Sequence, residues 1–154
     1  MKLSQTKKLA EDLMKQHGLH QWTFKFDNAR SRFGCCKHST KTISLSRILT
    51  ELNDEENVKD TILHEIAHAL AGRKAGHSYR WKMVAENIGC SPSRTYDSEE
   101  VVTPRSKYTG ICPNCDRKTQ RDRRRKNLAC GECCRKFNNG LHSKDYIFIW
   151  QVNQ

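Results

Sequence analysis

Two sets of residues in this chain have the types and spacing that bind metal ions. The first lies in Thr61-Ile62-Leu63-His64-Glu65-Ile66-Ala67-His68-Ala69-Leu70, a His-Glu-x-x-His run. On a helix, at about 100° per residue, His64 and His68 fall one turn apart and within roughly 40° of each other. Two neutral imidazoles so placed can grip one zinc ion from the same side. Glu65 projects beside them, close enough to take the proton of a water that the ion activates. Catalytic zinc takes three protein groups. His77, which follows Gly76 after the helix, is the best candidate for the third, with Glu86 or Asp97 next in line. The metzincin spacing needs His at position 74 and Gly at position 71. The chain has Lys74 and Ala71, so that pattern is excluded.

The second set is Cys112-Pro113-Asn114-Cys115 and Cys130-Gly131-Glu132-Cys133, two C-x-x-C knuckles. Four thiolates at such spacing close a tetrahedral structural zinc site, and the ion stabilises a small ribbon that has almost no core. Cys134 can replace Cys133 as the fourth ligand on spacing alone. Between the knuckles, Arg121, Arg123, Arg124, Arg125 and Lys126 form a dense basic run, read as a hairpin tip that contacts phosphates; its plain alternative is a solvated surface. The charge is unevenly placed. Residues 103–154 carry twelve Lys and Arg against four Asp and Glu, net +8, whereas residues 1–102 carry sixteen against thirteen, net +3. A polyanionic partner for the C-terminal part follows from that asymmetry.

His64-Glu65-Ile66-Ala67-His68-Ala69-Leu70-Ala71-Gly72, then Gly76-His77 and Trp81-Lys82, resembles the SprT-like metallopeptidases, the family that includes Spartan. The upstream Thr42-Ile43-Ser44-Leu45-Ser46 is similar to the family's strand before the active-site helix, and the four-cysteine ribbon completes the likeness. The resemblance implies a zinc-dependent protease core and, in Spartan-type members, the degradation of proteins crosslinked to DNA. The expected cofactors are two Zn2+, one catalytic and one structural. Protein substrates and DNA, single-stranded or damaged, are the expected partners, and no membrane is. Two rival readings stand beside this one. In the first, the chain is a non-enzymatic zinc protein that binds nucleic acid; Glu65 speaks against it, because a purely structural site needs no acid there. In the second, zinc serves hydrolysis of another bond, as in a peptide-like small molecule.

The elements that must position these residues can be read from periodicity. A chain of 154 residues, 36% hydrophobic and 29% charged, has room for one globular domain and a small appendage. No apolar run approaches the roughly 18 residues of a membrane span. The N-terminus lacks the apolar stretch of a secretory signal, which points to a reducing cytosol (the nucleoid or nucleus if DNA-bound), with eight cysteines serving metal and packing. The expected fold class is α+β: a zincin-like minimal metalloprotease core over 1–95, in which a small sheet packs on the active-site helix, a linker over 96–107, and a small β zinc ribbon with a closing strand over 108–154.

Within the core, residues 4–17 read as an amphipathic helix capped by Ser4, with Leu9, Leu13 and Met14 on one face and Gly18 at its end. Residues 21–27 alternate Trp22, Phe24 and Phe26 with polar neighbours, a half-buried strand. Residues 33–38 and 41–45 read as two strands joined at Ser39-Thr40, with one of Cys35 and Cys36 in the core, the other semi-exposed, and His38 exposed. The active-site helix starts at a capping-box-like Asn53 and Glu56, ends at Gly72, and turns Ile62, Leu63, Ile66 and Leu70 inward. A second helix over 78–88 packs Trp81, Met83, Val84, Ala85 and Ile88, is closed by Gly89, and leads to a buried Cys90. Tyr79 and Arg80 fall near enough to His77 to line the cleft. Residues 146–150 read as the closing strand of the ribbon.

Overall fold

Alternating apolar and polar residues give the first unit its sheet. Strands β1 (Thr23–Asp27), β2 (Gly34–Lys37) and β3 (Thr42–Ser46) are arranged in the order β1-β3-β2. β1 runs parallel to β3, with Phe24 opposite Ile43, and β2 runs antiparallel, with Cys36 opposite Ile43. Because successive side chains alternate faces, Phe24, Ile43 and Leu45 are buried against the helices while Thr23 and Lys25 remain exposed. This computed structural model describes residues 1–92 and 101–153, and the chain divides into two compact units, Met1–Pro104 and Arg105–Gln154.

Among the described residues of the first unit there are four α-helices: α1 (Leu3–Gln16), α2 (Arg47–Leu52), α3 (Glu55–Ala71) and α4 (Tyr79–Asn87). Ala10 and Met14 of α1, the sheet residues above, and Val58, Ile62 and Ile66 of α3 form one core cluster. Each such aliphatic side chain removed from water contributes about 1.5–3 kcal/mol. A second cluster joins Leu63, Ala67 and Ala71 of α3 to Trp81 and Ala85 of α4, with Cys90 beside them. The small residues at 67 and 71 let the large indole of Trp81 sit against α3, where it is fully buried.

Several local expectations are corrected. Ser4 lies inside α1, whose N-cap is Lys2. Residues 47–52 form α2, which periodicity in so short a stretch does not reveal; Ser46 caps it by accepting from the Leu49 N–H. The cap of α3 is Asp54, which accepts from the Asn57 N–H. Asn53 ends α2 instead, and its buried side chain has other partners. Gly72, at φ 94°, ends α3 in a conformation that glycine favours. Leu70 and Met83 are exposed, because each lies on the outer arc of its helix.

In the second unit, β4 (Tyr108–Ile111) is flanked antiparallel by β5 (Lys118–Arg121) and by β6 (Ile149–Val152). The closing strand is therefore 149–152; Tyr146 ends a 3-10 turn, and Ile147 makes an isolated bridge to Ala129. A short helix α5 (Gly131–Phe137) rises from the second knuckle. Cys112, Cys130, Cys133 and Phe148 make up the small core, with Leu128, Tyr146 and Trp150 against it. So few apolar residues give little burial energy, and the thiol cluster sits at their centre.

Candidate metal centres

The first centre is built where α3 meets the residues before α4. Helical spacing puts His64 and His68 one turn apart, and the chain after Gly72 and Gly76, both at positive φ, brings His77 back to them. The Nε2 atoms of His68 and His64 each lie 3.1 Å from the Nε2 of His77. Nitrogens bound tetrahedrally at about 2.0–2.1 Å from a zinc ion stand about 3.4 Å apart, close to that spacing. All three ligand atoms fall within 4.8 Å of one another. Burial, and then the neighbouring rings, lower the pKa of His64 and of His68 to about 4, so both are neutral at pH 7 and present lone pairs. Three imidazoles whose ligand nitrogens converge in this way fit a zinc-type ion.

Trp81 backs this cluster. Its ring stacks on His68 at a centroid distance of 5.2 Å and 30°, and lies 4.7 Å from His64 and from His77. The sequence shows Trp81 as an apolar helix residue; its contact with all three imidazoles appears only in three dimensions.

Glu65 is 7% exposed and projects toward β2. Gly34 makes the room for it: a Cβ there would lie 2.6 Å from Oε1 and 2.7 Å from Cγ of Glu65. The Cys36 N–H donates to the carboxylate, and Arg32 adds positive potential, but burial dominates and raises its pKa to about 7. Arg32 is itself tied to Asp27 at 2.7 Å, and Asp27 also accepts from the Ser44 hydroxyl and the Ala29 N–H. Ser46 fastens the same loop through the Ala29 carbonyl, to which its hydroxyl donates.

The three histidines and Glu65 open on a cavity of about 710 Å³, whose wall also includes Phe33, Cys36, His38 and Leu49. His38 is half-buried, with its Nε2 3.8 Å from the Cys36 thiol and its ring edge-on to Trp22, so it is not free in solvent as periodicity suggested. Cys35 and Cys36 are both half-buried, since β2 is an edge strand with neither face fully covered. Tyr79 and Arg80 do not line the cavity; Arg73 and Gly76 occupy that rim, and Tyr79 points to solvent. Glu86 is exposed on α4, and Asp97 lies outside the described residues.

In the second centre, Cys112, Cys115, Cys130 and Cys133 place their sulfurs within 4.8 Å of one another. The Cys112–Cys133 and Cys115–Cys130 sulfur distances are 3.7 and 3.8 Å. A tetrahedron of Zn–S bonds of about 2.3 Å has edges of about 3.8 Å, so the set fits zinc. Cys134 is buried but outside the group, because the next residue on α5 points about 100° away. Burial would raise the Cys130 thiol, but the backbone N–H groups of Cys133 and Glu132 and the Cys115 thiol outweigh it and draw its pKa down.

The basic run does not occupy the β4–β5 turn, which is the first knuckle. Arg121 ends β5, and Arg123, Arg124, Arg125 and Lys126 form the connection to the second knuckle, all exposed. Arg124 lies over the Tyr108 ring at 5.2 Å, and the Trp150 indole donates to the Arg125 carbonyl. The indole bond holds the backbone at Arg125, the ring contact holds the Arg124 side chain, and the residues of the run remain exposed.

The SprT-like family profile matches residues 3–103. Protein SprT of Vibrio atlanticus (strain LGP32) is 30% identical over 69 residues, which are 42% of this chain and 42% of that protein. The chain thus spans less than half the length of that curated relative. No solved structure matches. Among the described residues, no helix is long and apolar enough to cross a membrane.

Proposed function

The chain belongs to the SprT-like family, and on that premise we propose that its first unit is a zinc-dependent peptidase and that its second binds nucleic acid, directing the peptidase to proteins associated with or crosslinked to DNA. The observation that carries the reading is the convergence of His64, His68 and His77 beside a buried carboxylate on one cavity wall. His64, His68 and His77 would hold the ion. Bound there, zinc supplies Lewis acidity toward a scissile carbonyl and makes water a stronger acid. Glu65, whose carboxyl burial raises above the usual carboxylate range, accepts the proton of the attacking water and returns it to the leaving amine. The Cys36 N–H and the room at Gly34 hold that carboxyl in one orientation.

The second unit supports the nucleic-acid half of the reading through its net charge of +8 and the exposed run Arg121 to Lys126. Binding through phosphates tethers the peptidase near its substrate and raises local concentration without sequence preference. Zinc-loaded protein should cut a DNA-binding protein faster with single-stranded DNA than without. Glu65→Gln should retain zinc and lose turnover by about 10² or more. Full turnover in that variant would remove Glu65 from the chemistry.

A further inference from the structure

The cavity wall has an apolar part that the proposed reaction leaves unused, made of Phe33, Leu49 and Val101, which belong to or pack against one core cluster. Phe33 and Leu49 are both nearly fully buried, and Val101 comes from a separate segment of chain. Among the described residues, the side chain of Asn53 bonds to that segment. Asn53, 4% exposed, accepts the Val102 N–H on Oδ1 at 2.7 Å and donates from Nδ2 to the Val102 carbonyl at 2.9 Å. Its second amide hydrogen goes to the Leu49 carbonyl at 2.8 Å. A primary amide that meets both backbone groups of one residue fixes that residue's position and its rotation about the chain axis. Val102 consequently points to solvent, 55% exposed, while Val101 and Thr103 on either side of it both line the cavity. The alternation is that of an extended chain. By bonding Leu49 as well, Asn53 ties two pieces of the apolar part of the wall to one group.

We propose that Asn53 is a specificity-determining positioning residue: by clamping Val102 it sets Val101 against Leu49 and Phe33, forming a pocket for an apolar side chain of the polypeptide being cut. The inference rests on the peptidase reading. Phe33 immediately precedes Gly34, the residue against Glu65, so the apolar part of the wall is continuous in the chain with the backbone that meets the carboxylate. A substrate side chain seated there is one close to the scissile bond. Leucine fits such a lining, and asparagine, of nearly equal size, leaves its amide unpaired in it.

The test uses the zinc-loaded chain of residues 1–154 and paired peptides that differ only by Leu or Asn at one position near the cut. The wild type should favour the Leu peptide by about tenfold or more in kcat/KM at one of those positions. Asn53→Ala should bring the two within about threefold, while zinc content holds and hydrogen exchange at the Val102 amide accelerates. A merely structural Asn53 would lower both peptides alike. Val101→Thr, which keeps shape and leaves Asn53 in place, should also shrink the ratio and serves where Asn53→Ala does not fold. Cleavage with no apolar preference, or with a preference that Asn53→Ala or Val101→Thr leaves intact, overturns the inference and spares the peptidase reading. No cleavage of any peptide by the wild type removes that reading, and this inference with it.

Discussion

Gly34 offers a test of the site that leaves every candidate ligand in place. A methyl group at position 34 would stand 2.6 Å from Oε1 of Glu65, against at least 3.4 Å for ordinary contact, so the carboxyl must retreat by about 0.8 Å. Position 34 is not at positive φ, so the backbone tolerates alanine and the effect is steric. A misplacement of about 1 Å at a reacting group costs about 10²-fold, so Gly34→Ala should lower kcat/KM on a peptide substrate by roughly 30- to 100-fold. Bound zinc should remain at the wild-type level, because the three atoms nearest the added methyl all belong to Glu65 and none to a histidine. Overpacking should also cost about 1–3 kcal/mol of stability. In a Glu65→Ala background the added methyl meets space instead, so the same change should be neutral there, a coupling that a double-mutant cycle reads. Gly34→Ala with activity within threefold of wild type would refute the claim that Glu65 must lie against that bare backbone.

Elemental analysis of fully loaded protein should return two zinc ions per chain, one of which Cys133→Ser removes and Cys134→Ser retains. The loss of an ion in Cys134→Ser would exchange the two ligands. Trp81→Ala should weaken zinc binding at the histidine site and lower stability by about 3–5 kcal/mol, read by metal competition and by denaturant unfolding. Neutralising Arg123, Arg124 and Arg125 together should weaken binding to single-stranded DNA across sequences and reduce the salt slope by roughly one unit per lost contact. Cleavage of DNA-bound protein should fall with it while cleavage of a free peptide holds; an unchanged ratio would make the run a solvated surface.

The donor pairs could be read from the chain because local geometry determines them. Helical spacing alone puts His64 and His68 on one face, and two C-x-x-C turns each bring two thiols together. The α+β class and the family likeness followed from the same short patterns, which hydrogen-bonded local structure preserves. What depends on residues distant in sequence was not legible. Whether Cys133 or Cys134 faces Cys112 turns on the direction in which α5 leaves the knuckle, which packing against Phe148 and its neighbours decides. Asn53 looked like a helix cap because a cap needs only a short polar side chain, yet its partners lie 49 residues away at Val102. Gly34 carries no signal of its own until α3 lays Glu65 against it. Nor does the sequence distinguish a core tryptophan from one that three imidazoles rest on. Pattern reports which groups are near along the chain; the close approach of backbone, carboxyl and ring across the cavity exists only once the sheet and helices have packed.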